Sequence, residues 1–278
     1  MGTYRGIAEA NEEIVADGWY TAPSGRIVQI GDDVAAACAG TVLYGPDSVP
    51  LEGVVPGGVA TRIEVTGESS MSAARRLYDE GAGRIAVLNF ASARNPGGGY
   101  LGGARAQEED LCRVSALYTT LRQVPDYYAA HRESRDLAYS HRVIYSPDVP
   151  VYRDVRYQLL DAPYQVSFLT SPAPNAGAIA RDTPTAVANL PDLLTERAAR
   201  VLAAAVRNGC RALVLGAWGC GVFRNDPAQV ASAFERNLTG DGAYAGVFER
   251  IVFAVLDTTA GQANLTAFRS AFPVRTIA

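Results

Sequence analysis

The sequence predicts an α/β fold in which a layered sheet carries helices on both faces. Two observations lead there. From residue 62 onward, short apolar runs alternate with longer amphipathic stretches, and such alternation builds a sheet covered on both sides. Two glycine-rich segments follow strand candidates directly and lead into helix starts, the arrangement by which α/β sheets present ligand loops at their strands' carboxyl ends.

Residues 3–17 space Ile7, Ala10 and Ile14 at helical intervals, and β-like runs follow at 26–30 and 41–44. Strand candidates then fall at 62–65, 85–90, 143–145, 165–169, 213–217 and 251–256. Ser69 or Ser70 caps a helix that reaches Asp79, and Leu111, Val114, Leu117 and Leu121 predict one helix across 106–123. Asp192 stands at the start of a run to Arg207 that Gly209 ends, and Asp226-Pro227 opens a run to Leu238. The Pro/Ala-rich stretch 171–184 is the longest loop candidate; because it follows a strand directly, it is expected over the ligand end of the sheet. No linker or fixed-period repeat divides the chain. It reads as one domain, an N-terminal helical/β accessory extension (1–60) packed on a core of residues 61–278.

With 278 residues and 48% hydrophobic content, the chain can bury a sizeable core. A net charge of −4 provides no global basic field, so a sequence-specific nucleic-acid partner is not expected. All 25 cationic side chains are arginine, which removes P-loop chemistry and lysine Schiff-base chemistry together. Cys38, Cys112, Cys210 and Cys220 form no CxxC pair and read as reduced thiols. The acidic N-terminus lacks a secretory apolar region and no run of 18 apolar residues occurs, so the expectation is a cytoplasmic protein that does not enter a membrane.

The segment Asn95-Pro-Gly-Gly-Gly-Tyr-Leu-Gly-Gly-Ala-Arg-Ala-Gln-Glu-Glu109 places a glycine-dense backbone and a carboxylate pair directly after the strand at 85–90. Gly97, Gly98 and Gly99 let amides approach an oxygen closely, and the pair Glu108 and Glu109 falls in the first turn of the next helix. First-turn acids commonly complement the helix dipole. Consecutive helix residues point roughly 100° apart, so these two carboxylates have separate tasks: one reaches a scissile bond while the other holds a hydroxyl. Acid catalysis requires a carboxyl pKa raised by burial or nearby negative charge. A second cluster, Gly216-Ala-Trp-Gly-Cys-Gly-Val-Phe223, follows the strand at 213–217, and the two loops are expected to face each other across a diphosphate-sized crevice.

A GGG, the seven residues Tyr100 to Ala106, then QEE resembles the signature of poly(ADP-ribose) glycohydrolases, and VLNFASARNPGGG with GAWGCGVF resembles their shorter bacterial form over essentially the whole chain. The resemblance implies a three-layer α/β/α macrodomain-like core with a mixed sheet. It also implies hydrolysis of ribose-ribose O-glycosidic bonds, mainly from chain ends, to release ADP-ribose without metal or other cofactor. By the same likeness Glu109 is the catalytic glutamate and Glu108 its partner on ribose hydroxyls. Asn95, Gly97, Gly98, Gly99 and Gln107 join the substrate-binding set, as do Gly219, Cys220, Gly221, Val222 and Phe223, with the Phe223 ring against the terminal ribose. The implied partners are poly(ADP-ribose), ADP-ribose and ADP-ribosylated proteins.

Two rivals share this sheet and these loops: a macrodomain that binds ADP-ribose without cleaving it, and a hydrolase removing ADP-ribose from protein side chains. The tandem glutamates favour polymer cleavage, because a reader needs none at a glycosidic oxygen. His131 and His141 lack metal-ligand spacing and are expected at the surface. Tyr127, Tyr128, Tyr139 and Tyr145 are expected to be packing or surface residues. Cys220 in its glycine loop is expected to serve by small size rather than as a nucleophile. Of Arg94, Arg105, Arg113 and Arg224 beside the loops, one or two are expected to capture polymer. Thr258 and Thr259 follow the last strand, where an adenosine could be contacted.

Overall fold

A computed structural model describes residues 3–47 and 58–273. The elements are α1 (Tyr4–Asp17), β1 (Trp19–Thr21), β2 (Ile27–Gln29), α2 (Gly31–Ala39), β3 (Val42–Tyr44), β4 (Arg62–Thr66), α3 (Ser70–Asp79), β5 (Ile85–Phe90), α4 (Gln107–Val114), α5 (Leu117–Leu121) and α6 (Pro125–Glu133). They continue with β6 (Val143–Arg153), β7 (Leu159–Ser171), α7 (Ala176–Asp182), α8 (Leu190–Arg207), β8 (Ala212–Leu215), α9 (Pro227–Leu238), β9 (Arg250–Ala254) and α10 (Ala263–Ala271).

The central sheet is mixed, with order β3-β6-β7-β5-β8-β9-β4. Strands β7, β5, β8, β9 and β4 run parallel, and β6 pairs antiparallel with both β3 and β7. Alternation along the strands divides the core into two layers. Ile85, Val87, Val214 and Val252 pack with Met71, Leu111 and Leu117 on one face, while Ala86, Leu88, Leu213, Ile251 and Phe253 pack with Leu194, Leu202, Phe234 and Phe268 on the other. Each fully buried aliphatic side chain contributes roughly 1.5–3 kcal/mol. Three-layer α/β/α architecture therefore follows from strands buried on both faces.

Within the first 60 residues, β1 and β2 form a separate two-stranded sheet, whereas β3 is the edge strand of the central one. Ala8, Tyr20, Val28, Ile30 and Val34 join the same apolar layer as α4 and α5.

Two expectations are corrected. The single helix across 106–123 breaks at Ser115, which is extended (φ −142°, ψ 173°) and bridges to Val151. Its hydroxyl donates to the Leu111 carbonyl at 2.8 Å and the Ala116 N–H donates to Pro150, so local bonding and the sheet edge outcompete the helix. The loop expected at 171–184 contains α7, whose cap is the Asn175 side chain accepting from the Ala178 N–H at 3.1 Å. At the other helix starts, Ser69 caps α3 and Asp226 caps α9.

Candidate active site

Strands β5 and β8 are parallel neighbours (Ile85 beside Ala212, Val87 beside Val214), so the loops leaving their carboxyl ends emerge side by side. The 172–175 loop after β7 and Asp257 after β9 flank them. Both glycine segments thus emerge side by side at the carboxyl end of the sheet, where α/β sheets bind ligands.

Glu108 and Glu109 occupy the first turn of α4, yet both are buried and reach away from their own helix into the β5 loop. Glu108 accepts from the Ser92 N–H at 2.6 Å through one oxygen and from the Asn89 amide at 3.2 Å through the other. Burial pushes its pKa up to about 8, opposed by the Ser92 N–H and the Asn89 amide and reinforced by the charge of Glu109. Glu109 accepts from the Gly99 N–H at 2.8 Å through Oε1, while its Oε2 is buried without a hydrogen-bond partner among the described residues. Gly98 makes the approach possible. Its φ is +59°, and a Cβ there would stand 2.5 Å from Glu109 Oε1.

Gln107 is consumed structurally. Its carbonyl oxygen accepts from the Phe90 N–H at 2.9 Å, and its amide donates to Leu88 O at 2.8 Å and Ser70 Oγ at 3.1 Å, clamping α4 to the end of β5. Asn95 is exposed at the mouth, with its N–H donating to Ser92 Oγ at 3.2 Å and its carbonyl accepting from the Gly98 N–H at 3.0 Å.

Side chains that sequence reasoning missed support this arrangement. Asn89 stands alone as a polar group inside an apolar strand and donates also to Thr170 Oγ1 at 3.1 Å. A buried polar side chain needs a partner, and that requirement was the available signal. On α1, fully buried Asn11 donates to the Arg113 carbonyl at 2.7 Å and accepts from Arg153 Nε at 2.7 Å. Arg113 lies inside rather than among the loop-flanking phosphate candidates. It pairs with Asp110 at 2.7 Å, donates to the Ala104 carbonyl and covers the Tyr4 ring 4.6 Å from its centroid.

The β8 loop is held by its flanks. Trp218 Nε1 donates to Ser171 O at 3.0 Å, and Asn225 Nδ2 donates to Pro174 O at 2.8 Å and Gly219 O at 3.1 Å. Gly219 has φ +71°, and a Cβ there would collide with Ala173 Cβ at 2.4 Å. Gly221 and Val222 are exposed, Val222 at 84%. Burial, then Asp226, raises the Cys220 thiol to about 12, so it packs as a small neutral group. Phe223 lies 5.8 Å from the Tyr139 ring, and its carbonyl accepts from the Gly177 N–H at 2.9 Å.

The expectation of a surface His131 is corrected: the ring is 1% exposed. Nε2 accepts from the Ser140 N–H at 3.2 Å, so Nδ1 carries the proton and donates to Tyr127 O at 2.8 Å. Burial lowers its pKa to about 4, assisted by Arg142, Arg197 and Arg94. His141 is half-buried, 3.5 Å from Glu196. Tyr127, Tyr128 and Tyr145 are buried packing residues. Past β9, Thr259 is tied to Asp257 by its N–H at 3.0 Å and its hydroxyl at 2.6 Å.

The family model described as microbial-type PARG, catalytic domain, matches residues 8–154. A structure of poly(ADP-ribose) glycohydrolase from Thermomonospora curvata bound to the inhibitor ADP-HPD is 52% identical, with a TM-score of 0.91 over 97% of this chain and 99% of that one. The same enzyme from Deinococcus radiodurans in complex with ADP-ribose is 48% identical, with a TM-score of 0.82 over 86% of this chain and 97% of the other. No curated protein sequence matches. No helix among the described residues is long and apolar enough to cross a membrane.

Proposed function

The chain belongs to the microbial-type poly(ADP-ribose) glycohydrolase family, and on that premise we propose how its two glutamates divide the reaction. It is a glycosyl hydrolase acting on poly(ADP-ribose). One observation carries the division. Both Glu108 oxygens accept protein N–H groups, whereas Glu109 keeps a buried oxygen without a partner among the described residues. Glu109 is therefore the carboxyl that meets the glycosidic oxygen.

In the proposed reaction, the Glu109 carboxyl protonates the departing ribose 2′-oxygen as the C1″–O bond breaks and positive charge develops on the sugar. The resulting carboxylate takes a proton from the water that attacks C1″. Glu108, whose pKa burial pushes up to about 8, is the partner of Glu109 on a ribose hydroxyl. A double-displacement scheme requires carboxyls flanking the sugar about 5–5.5 Å apart, and neighbours in one helical turn share a side.

The β8 loop, with Gly219, Cys220, Gly221, Val222 and Phe223, receives the diphosphate and terminal ribose; Asn95 and Gly97 to Gly99 complete the ribose side. Cleavage mainly from chain ends is part of the same reading; beside the β8 loop, Leu137 O accepts from the Asn175 N–H at 2.9 Å and Tyr139 packs on Phe223. Four free thiols support a cytoplasmic location.

The test is Glu109→Gln with poly(ADP-ribose), resolving products by chain length. Hydrolysis is expected to fall at least about 1,000-fold, consistent with general acid/base catalysis, with ADP-ribose affinity retained. Retained turnover would overturn the assignment, and short oligomers preceding ADP-ribose would overturn chain-end cleavage.

A further inference from the structure

We propose that Arg94, Arg132, Arg142 and Arg224 form an electropositive rim that holds the phosphates of polymer units beyond the one in the cleft. The proposal rests on the poly(ADP-ribose) activity above and adds a second contact zone for the substrate. The four come from three separate segments. Arg94 follows β5, Arg132 (in the last turn of α6) and Arg142 share the stretch leading into β6, and Arg224 closes the β8 loop. Arg132 donates to the Arg94 carbonyl at 2.8 Å, which fastens the end of α6 to the catalytic loop. Arg142 and Arg94 both act electrostatically on His131, whose ring meets Tyr139 at 5.9 Å; Tyr139 in turn meets Phe223 at 5.8 Å. Arg224, in the left-handed region at φ 56°, lays its stem along Gly177, where an added Cβ would stand 3.0 Å from Arg224 Cδ.

None of these four guanidinium groups pairs with a carboxylate among the described residues, whereas Arg75, Arg76, Arg84, Arg200 and Arg250 each do. Arg94, Arg132 and Arg224 are exposed and Arg142 is half-buried. Glu133 and Asp136 lie on the same stretch, and the Asp136 carboxylate accepts from the Ala138 N–H at 2.8 Å. On a chain of net charge −4, an unpaired cationic group beside the cleft is a local device rather than part of a general field. Guanidinium forks match phosphate oxygens, and each polymer unit carries a diphosphate. A substrate with one unit in the cleft extends its next phosphates past this edge.

The experiment measures Kd across a salt series on catalytically silent Glu109→Gln protein, for poly(ADP-ribose) and for ADP-ribose. Adding Arg94→Gln and Arg224→Gln is expected to weaken polymer binding about 10-fold at low salt and to reduce the salt slope by about one to two, leaving ADP-ribose affinity within about twofold. Arg132→Gln is expected to act in the same direction and Arg132→Lys to restore the slope, since a merely structural loss would not follow charge. Arg269→Gln, on the exposed face of α10, is the charge-matched control for Arg132→Gln, and Arg236→Gln with Arg269→Gln is the control for the double variant. An unchanged slope overturns the proposal. So does an equal loss for ADP-ribose, which would assign these arginines to the cleft itself, or equal displacement of polymer by single-stranded RNA of matched charge. If Arg-intact enzyme with Glu109 restored leaves the polymer uncut, the functional reading fails instead, so the two failures remain distinct.

Discussion

The two glycine loops at the carboxyl end of the sheet are built on opposite plans. After β5, the backbone is gripped by buried carboxylates: Glu108 takes the Ser92 N–H and Glu109 the Gly99 N–H. After β8, Trp218 donates to Ser171 O and Asn225 to Gly219 O, backbone bonds close turns within the loop (Cys220 N–H to Ala217 O, Arg224 N–H to Gly221 O), and Gly221 and Val222 are exposed at its tip. On the proposed division of labour, the β5 side is preorganised for bond breaking, where small displacements are costly. The β8 side, the proposed diphosphate side, has an exposed tip at Gly221 and Val222.

Replacing glycine on each side should expose the difference most sharply. Gly98→Ala adds a Cβ 2.5 Å from Glu109 Oε1 at a backbone angle of φ +59°, and kcat is expected to fall about 100-fold, the scale of an ångström-level misplacement. Gly221→Ala meets nothing within 4 Å, and steady-state kinetics on poly(ADP-ribose) should leave kcat nearly unchanged. Similar losses from both substitutions would erase the contrast.

Next in size is the cost of the buried acid. Folding raises Glu108 to about 8 from an ordinary value of 4.5. Between those pH values the folded chain keeps a proton that the unfolded chain has released, so this group makes stability fall as pH rises through that window and level off above it. Glu108→Gln should flatten the fall, as read by thermal unfolding from about pH 5 to about pH 8.5. An unaltered profile would place the proton elsewhere.

On the β8 side the expected effects are smaller. Gly219→Ala collides with Ala173 at 2.4 Å and should weaken ADP-ribose binding about 10-fold, equivalent to about 1.4 kcal/mol, as measured by calorimetry. Val222→Ser alters a side chain that is 84% exposed and should shift unfolding free energy by less than about 0.5 kcal/mol. A larger shift would mean that the loop tip is packed after all.

Much of this was readable in the chain. The run Ile85–Phe90 is both the strand candidate and the strand observed, and Ser69 and Asp226 cap the helices they announced. The helix expected across 106–123 misled because spacing reports an apolar face but not the pull of Pro150 and Val151 on Ala116 and Ser115. His131 misled similarly: a polar neighbourhood in sequence became a buried ring between Tyr127 and Ser140.

By itself the sequence determined the alternation of strands and helices, the position of both glycine loops and the place of the glutamate pair in the first turn of a helix, because periodicity, caps and glycines are local properties. Only the tertiary structure decided which carboxyl oxygen lacks a partner, that Gln107 and Arg113 serve as struts, and that Asn11 supports α4 from the other end of the chain. Those outcomes depend on burial and on hydrogen bonds between residues up to 142 positions apart, and neither is encoded in local spacing.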